Sequence, residues 1–250
     1  MPVAVRIGHA LKNIKTDDGE VAPGPASAAT PVDTAAGQAH VVLEMPSRTA
    51  HALLVVGHGA GGDIEAPDLL ALRNSALSRG IAVARVRQPY RVAGRRAPAP
   101  AAQLDAAWVS VVTALAECAG PFAPYARRLR RRPVVVAGRS SGARVACRTA
   151  QAAGAAAVVA LAFPLRPPGR PDRSRADELA VAVPLLVVQG SRDAFGRPAD
   201  FPSSVRVIEV AGADHSLKAA GFRAVVGDIA DWILQATAGE SVSAARRYSS

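Results

Sequence analysis

Cysteines and aromatic residues are scarce in this chain, which excludes a fold held by disulfides and a core built on aromatic side chains. Two cysteines, Cys118 and Cys147, are too few for a disulfide framework or a cysteine-rich metal site, so we interpret both as small apolar residues of helices. Aromatic residues make up 4% of the chain, so its core must consist mainly of Ala, Val and Leu. No motif in the sequence indicates a metal or another cofactor.

Long apolar segments are also lacking. We find no uninterrupted apolar stretch of membrane-spanning length, and the amino-terminal residues lack the apolar segment of a secretory signal. We therefore predict no membrane partner. We expect a cytoplasmic protein that is a monomer or a homodimer.

Lysine is rare as well, although the chain is strongly basic. The formal net charge is +10, and nearly all of the positive charge is arginine. Together with the abundant Ala, this is typical of the bias of a GC-rich genome rather than of a nucleic-acid-binding surface.

The densest run of basic residues, residues 127–132, could contact an anionic partner. Because no aromatic residues alternate with its arginines, we interpret it as a solvated loop and predict no specific nucleic-acid partner.

What the chain does contain is a regular alternation of apolar runs and longer helical patterns. The runs predict strands at residues 39–44, 52–57, 81–87, 133–138, 157–162, 184–189 and 205–210. The helical patterns lie at residues 66–79, 101–119, 141–153 and 217–236. This order predicts one α/β domain over residues 38–237, with a mostly parallel, doubly wound sheet and helices on both faces. Residues 1–37 and 238–250 are predicted to be flexible, because they are rich in small and polar residues without a sustained period.

A serine motif, Gly138-Arg139-Ser140-Ser141-Gly142, follows one of the predicted buried strands. The pattern G-x-S-x-G is typical of a sharp strand-to-helix turn that exposes a nucleophilic serine. Glycine is favoured two residues before and after the serine, because side chains there would collide with the turn. The motif therefore predicts Ser140 as a nucleophile, with the Ser141 N–H directed toward a developing oxyanion.

A glycine-rich loop, His58-Gly59-Ala60-Gly61-Gly62, follows the strand predicted at residues 52–57. Such a loop lets the backbone approach a substrate closely, and the Ala60 N–H would then be the second oxyanion donor. The alternative is a plain glycine-rich turn between a strand and a helix. We favour the oxyanion loop because the serine motif is present in the same chain.

Two further loops carry the remaining candidates for catalysis. Asp193 follows the strand predicted at residues 184–189, and His215 lies in the last strand-to-helix loop. We predict His215 as the base and Asp193 as the carboxylate that orients it. Asp214 is the alternative acid, although a sequence neighbour rarely reaches the imidazole Nδ1 in the right orientation.

The walls of a substrate pocket are predicted from the same edge of the sheet. His58, Gly59, Tyr90, Arg139 and Phe195 are the residues that we expect to contact substrate. The segment 163–182, where a lid could be inserted, is only about 20 residues long and has room for one short helical turn. We therefore expect a shallow cleft without a large lid, which suits a soluble or flexible substrate. Trp108, at apolar spacing within a helix, is predicted to be a core residue.

These motifs together resemble the α/β-hydrolase superfamily over residues 39–236. The order Ser140, Asp193, His215 is the order in which that fold places its triad. More narrowly, the sequence resembles the dienelactone-hydrolase-like branch that includes a non-specific-lethal histone-acetyltransferase complex subunit and bacterial relatives. The segments that carry the narrower resemblance are 58–62, 138–144, 189–196 and 214–216. Dienelactone hydrolases themselves use Cys where this chain has Ser140.

The resemblance also draws attention to Arg139, Arg144 and Arg192, which belong to the pattern of that branch. Their expected role is to pair with carboxylates beneath the site. Alternatively, one of them binds a substrate carboxylate.

The leading hypothesis for the function of the chain is a serine hydrolase that acts on a carboxylic ester or thioester. The rivals are a non-catalytic interaction module of the same fold and an acyltransferase that uses the same three residues.

Overall fold

One eight-stranded sheet organises the chain in the computed structural model, which describes residues 29–170, 172–217 and 220–246. The strands are β1 (Thr30–Thr34), β2 (Gly37–Glu44), β3 (Ala52–Gly57), β4 (Ile81–Arg87), β5 (Val134–Arg139), β6 (Ala157–Leu161), β7 (Leu185–Gly190) and β8 (Arg206–Val210). Their order across the sheet is β1-β2-β4-β3-β5-β6-β7-β8. β3 to β8 pair in parallel, whereas β2 pairs antiparallel with both β4 and β1.

Helices cover both faces of the sheet. They are α1 (Pro67–Ser78), α2 (Pro89–Val92), α3 (Ala101–Ala116), α4 (Ala126–Leu129), α5 (Ser141–Thr149) and α6 (Ala220–Arg246). One apolar core joins the sheet to α3 and α5, and a second joins the opposite face to α1 and α6. The central strands are buried on both sides, as their continuous Val and Ala runs predict. The predicted doubly wound α/β architecture is therefore confirmed.

The register of the central strands brings two of the predicted motifs together. β3 and β5 are direct neighbours, and Gly57 at the end of β3 lies opposite Gly138 near the end of β5. The glycine-rich loop after β3 therefore leaves the sheet beside the serine turn after β5. The loops after β7 and β8 leave the same edge, because all four strands run parallel.

Both predicted ends of the domain need correction. Residues 30–34, assigned to a flexible segment ending at residue 37, form the edge strand β1. Gly37, with φ of 103°, permits the tight turn into β2, and Pro31 is tolerated because β1 has only one partner strand. At the other end, α6 continues to Arg246, through residues predicted as a flexible tail, because Ala-rich sequence propagates a helix readily. The predictions for residues 1–28 and 247–250 lie outside the described residues.

One apolar stretch, residues 101–129, contains an 18-residue window with a mean hydropathy of 1.4, which by length and composition alone would suffice for a membrane-spanning helix. It contains α3, a 3₁₀ turn and α4 rather than one continuous helix. The buried side of α3, which includes Leu104, Trp108, Val111 and Leu115, packs in the apolar core on one face of the sheet.

The segment between β6 and β7 is short and tied to the domain. Its only helical element among the described residues is the 3₁₀ turn Ala176–Leu179. Glu178 in that turn accepts hydrogen bonds from Arg144, at 2.5 and 2.9 Å, and forms an ion pair with Arg148 on the same face of α5. Leu165 and Leu179 are buried beneath the segment. The structure thus has no large lid domain over this part of the sheet edge.

Candidate active site

The serine turn is held by backbone contacts that exclude larger residues. Ser140 sits between β5 and α5 with φ of 53° and ψ of −112°, a strained conformation for a residue other than glycine. A Cβ atom on Gly138 would lie 2.2 Å from the Gly142 carbonyl carbon. A Cβ atom on Gly142 would lie 2.7 Å from the His58 carbonyl oxygen. Both glycines are therefore required by the close approach of three backbone segments.

Ser140, His215 and Asp193 form a continuous chain of hydrogen bonds. The Ser140 Oγ lies 2.9 Å from His215 Nε2, and His215 Nδ1 lies 2.8 Å from Asp193 Oδ2. An Nδ1–H that donates to the carboxylate leaves Nε2 free to accept the serine proton. The structure thus brings together the three residues that the sequence selected and joins them by two hydrogen bonds.

Asp193 is buried, with 2% of its surface exposed, and both of its oxygens accept hydrogen bonds. Gln189 Nε2 donates to Oδ2 at 2.8 Å, and the Phe195 N–H donates to Oδ1 at 2.8 Å. These donors fix the carboxylate that faces His215. Asp214, the alternative acid, is exposed and accepts instead from the N–H and Oγ of Ser216. Those bonds lower the pKa of Asp214 but take its carboxylate away from the imidazole.

The loops that carry the acid and the base are joined directly. The Arg192 guanidinium donates to the Gly212 carbonyl, and the Gly212 N–H donates to Ser191 Oγ at 2.8 Å. Arg192 therefore binds a backbone carbonyl rather than a carboxylate. The Phe195 ring packs on the His215 ring with centroids 4.2 Å apart. Phe195, predicted as a substrate contact, lies beside the site and supports the base.

The loop after β3 is held by His58. The His58 Nε2 accepts the Gln88 N–H at 3.1 Å, so its Nδ1 carries the proton and donates to the Gly59 carbonyl at 2.8 Å. The same carbonyl accepts the Gly62 N–H at 3.0 Å. In a trans peptide the N–H points opposite to the C=O, so the Ala60 N–H is directed away from His58. That orientation suits an oxyanion donor.

The backbone around the two donors proposed from the sequence, Ala60 and Ser141, has further defined contacts. The Tyr90 hydroxyl donates to the Ala60 carbonyl at 2.9 Å and so fixes the next peptide of the loop. Ser141 is the first residue of α5, where an N–H has no acceptor within the helix. Gly59 lies against the serine turn, since a Cβ added to it would be 3.6 Å from the Ser140 Cβ.

His58 is buried and has no ring nitrogen left for a substrate hydrogen bond. It is 3% exposed, and both ring nitrogens are used by the protein. Burial lowers the pKa of His58, which favours the neutral ring that these two bonds require. That His58 contacts substrate stays a prediction, but its ring nitrogens are committed to the Gln88 N–H and to holding the Gly59 carbonyl in place.

Arg139 also differs from its prediction as a substrate contact. Its Nε forms an ion pair with the buried Asp68 Oδ2 at 3.1 Å, and its Nη2 donates to the His215 carbonyl at 3.1 Å. The guanidinium also lies next to the glycine-rich loop, since a Cβ added to Gly59 would be 3.4 Å from Nη1. The side chain thus links α1, the serine turn and the loop that carries His215. Its charge is used inside the protein, because burial and the short β5–α5 turn direct it inward.

Two cavities lie near these residues. The residues that line a slot of about 10 Å³ include His58, Gln88, Trp108, Ser141, Gly142 and Val145. A larger cleft of about 310 Å³ lies between the β1–β2 turn, α2 and α3. Gln88, Tyr90 and Leu104 line both cavities, so these three residues lie between the cleft and the slot. Ser140 and Phe195 line neither of them, which agrees with a nucleophile at an open edge.

No metal site accompanies this arrangement in the part of the chain that the structure describes. Residues 29–170, 172–217 and 220–246 contain no group of three or more His, Cys, Asp or Glu side chains arranged to hold a metal ion. Cys147 lies buried in α5, where burial, with Glu178 nearby, raises the pKa of its thiol to about 12.

Two supporting residues were not predicted from the sequence. Gln189 is fully buried and donates to Asp193, but a lone Gln at the end of an apolar strand carries no recognisable signal. Asp68 is buried in the first turn of α1, where an acidic residue is ordinary on helix-dipole grounds. Neither role can be recognised without the partner: Gln189 is only four residues from Asp193, but the loop that brings them together has to be known, and Asp68 pairs with Arg139, 71 residues away.

Comparison with known proteins agrees with this geometry. A family model for the alpha/beta hydrolase domain matches residues 50–238. A lidless α/β serine hydrolase from Xanthomonas campestris has a TM-score of 0.62 and 18% identity, over 84% of this chain and 96% of that one. Dienelactone hydrolase from Anabaena variabilis has a TM-score of 0.63 and 20% identity, over 84% and 98% of the two chains. An esterase from Pyrobaculum calidifontis has a TM-score of 0.61 and 16% identity, over 83% and 84%. At these identities the likeness shows the fold alone, and no curated protein matches the chain.

Proposed function

Because the chain belongs to the alpha/beta hydrolase domain family, we propose that it is a serine hydrolase that cleaves a carboxylic ester or thioester. The observation that carries this proposal is the hydrogen-bonded chain from Ser140 through His215 to the buried Asp193. A merely structural serine would not require a strained turn and an imidazole that is oriented by a carboxylate.

The proposed reaction proceeds in two steps. His215 Nε2 takes the Ser140 proton while Oγ attacks the carbonyl carbon, and the protonated His215 then gives that proton to the leaving alcohol or thiol. His215 then takes a proton from a water molecule that attacks the acyl-enzyme and returns it to the Ser140 Oγ as the acid leaves, which regenerates free Ser140. Asp193 holds the Nδ1–H tautomer and stabilises the imidazolium in both steps.

The Ala60 and Ser141 N–H groups would receive the negative charge of the tetrahedral intermediate. Each lies on backbone held by contacts unrelated to substrate, so little reorganisation is needed when the charge develops. Loss of one such donor costs on the order of 3 kcal/mol of barrier lowering in serine hydrolases. A finer affiliation with the branch that contains the non-specific-lethal complex subunit remains part of the proposal, as does a cytoplasmic location.

The proposal is tested by labelling the protein with a fluorophosphonate probe and by measuring turnover of short p-nitrophenyl esters. The wild type should be labelled, whereas Ser140→Ala should not be labelled and should lose about 10⁶-fold in kcat with little change in melting temperature. Ser110→Ala, on the exposed face of α3, is the matched control and should behave as the wild type. A folded wild type that resists the probe would favour the non-catalytic module instead.

A further inference from the structure

Tyr90 reaches the glycine-rich loop from a different element of the fold. It lies in α2, which follows β4, and its hydroxyl donates to the Ala60 carbonyl at 2.9 Å. The residue is buried, with 6% of its surface exposed. Burial raises the pKa of Tyr90, so the phenol keeps its proton at neutral pH and remains a donor.

The loop around Ala60 has little stiffness of its own. Glycine occupies three of the five positions of residues 58–62, so the peptides of the loop can rotate at small cost unless other groups hold them. The peptide that carries the Ala60 N–H is held through the Gly59 carbonyl, to which His58 Nδ1 donates at 2.8 Å. The next peptide, which carries the Ala60 carbonyl, is held by Tyr90. The conformation of Ala60 is therefore fixed from both sides.

The β4–α2 segment, residues 88–95, supports both of these contacts. The Gln88 N–H donates to His58 Nε2 at 3.1 Å, and the centroids of the Tyr90 and His58 rings lie 5.8 Å apart. The backbone of Tyr90 is fixed in turn, because its carbonyl accepts the Arg95 N–H at 2.9 Å. The segment thus reaches the loop on both sides of Ala60, through groups that form no part of the catalytic triad.

We infer that Tyr90 is a positioning residue for the oxyanion: by holding the Ala60 carbonyl, it keeps the Ala60 N–H aligned with the negative charge that develops in the reaction. This inference rests on the proposed hydrolase function and adds a residue to its machinery. Tyr90 then acts through the loop rather than by contact with substrate. An oxyanion donor is effective because it is fixed before the charge develops. Loss of the hydroxyl should therefore weaken the transition state and leave the binding of the uncharged ester unchanged.

Tyr90→Phe removes only the hydroxyl and keeps the ring beside His58, so the variant should fold with a melting temperature close to that of the wild type. On short p-nitrophenyl esters we expect kcat to fall by about 10-fold to 30-fold, less than the loss of about 10²-fold or more for a deleted donor. KM should stay within about 2-fold of the wild-type value, because acylation and deacylation both pass through an oxyanion. Tyr125→Phe is the matched control and should keep the wild-type kcat, since this half-buried tyrosine precedes β5 at the opposite edge of the sheet.

A pair of inhibitors separates positioning from a general disturbance of the site. An alkyl trifluoromethyl ketone forms an adduct with a serine nucleophile in which the former carbonyl oxygen bears a negative charge, as in the transition state. The methyl ketone of the same chain length binds as an uncharged analogue of the substrate. In Tyr90→Phe the inhibition constant of the trifluoromethyl ketone should rise by the same factor by which kcat/KM falls. The inhibition constant of the methyl ketone should not change.

Three outcomes would overturn this role of Tyr90. An unchanged kcat in Tyr90→Phe would show that the loop holds Ala60 without the hydroxyl. A raised KM with an unchanged kcat would show that Tyr90 contacts substrate instead. Equal weakening of both ketones, with a lower melting temperature, would indicate a structural role only. In each case the hydrolase function would stand as long as the wild type reacts with fluorophosphonate, whereas a folded wild type that does not react would remove that function itself.

Discussion

The two halves of the candidate site are held by different means. On the side of Ser140, backbone approaches backbone so closely that Gly138 and Gly142 admit no side chain. On the side of His215, the geometry depends on side-chain donors, chiefly Gln189 for Asp193 and Arg192 for the neighbouring loop. Backbone packing leaves a recognisable glycine signature in the sequence, whereas side-chain support can be supplied by many residue types. The first half should therefore fail through folding when changed, and the second through catalysis.

The largest effect on stability is expected at Gly138. Gly138→Ala places a methyl group 2.2 Å from a backbone carbon, so the turn must shift or the protein must unfold. We expect a loss of at least about 3 kcal/mol in the free energy of unfolding. Gly61→Ala is the control, because a Cβ there has no neighbour within 4 Å, and it should change stability by less than about 0.5 kcal/mol. Urea unfolding of both variants measures the contrast, and equal stabilities would contradict the backbone account.

On the side of His215, which is held by side-chain donors, Asp193→Asn should lower the catalytic rate rather than the stability. The amide cannot stabilise the imidazolium and favours the wrong tautomer of His215, so we expect kcat to fall by about 10⁴-fold. Asp214→Asn, at the exposed neighbouring carboxylate, should change kcat by less than about 3-fold. Steady-state kinetics on one ester separates the two variants. A larger loss in Asp214→Asn than in Asp193→Asn would reverse the assignment of the acid.

Arg139 connects the two halves, so its removal should show both kinds of effect. Arg139→Met deprives the buried Asp68 of this ion pair and the His215 carbonyl of its donor. We expect a loss of about 3 kcal/mol in stability and a decrease in kcat at nearly constant KM. The double variant Asp68→Asn with Arg139→Met should lose less stability than the sum of the single variants. Simple additivity in urea unfolding would show that the pair is not coupled.

The smallest effect concerns pH and His58. Burial lowers the pKa of His58 below the ordinary 6.5, so the unfolded chain takes up a proton that the folded chain does not. Stability from this residue is therefore complete above pH 6.5 and falls as the pH decreases, by at most about 1.4 kcal/mol per pH unit. His58→Asn should reduce the slope of stability between pH 7 and 5, measured by urea unfolding at each pH. An unchanged slope in His58→Asn would argue against a buried neutral ring.

Much of the fold and the central residues of the site could be predicted from the sequence. The buried runs at β3 and β5 are continuous and apolar, so their type and position were unambiguous. Ser140 was recognisable because steric conflict forces two glycines into fixed positions around it. His215 and Asp193 could be selected because each follows a predicted strand at the same edge of the sheet.

The remaining features depend on contacts that no local pattern encodes. β1 is a short edge strand whose residues alternate in exposure, and its Pro and Thr composition is equally typical of a linker. Arg139 and His58 were expected to face a substrate, but their partners Asp68 and Gln88 are 71 and 30 residues away in the sequence. Whether a polar side chain turns inward or outward is decided by such distant partners.

The segment between β6 and β7, which Glu178 ties to α5, affects how an acyl-enzyme would react. Glu178 holds this segment to α5, so no cover of appreciable size closes over Ser140 from this side. A covalent intermediate there would stand in contact with bulk solvent throughout its lifetime. Because water is present at molar concentration, an alcohol or amine acceptor would have to bind in a site of its own to compete with it. An open rim of this kind therefore favours release of the free acid over acyl transfer. When methanol is added, the ratio of methyl ester to free acid should rise in simple proportion to the methanol concentration.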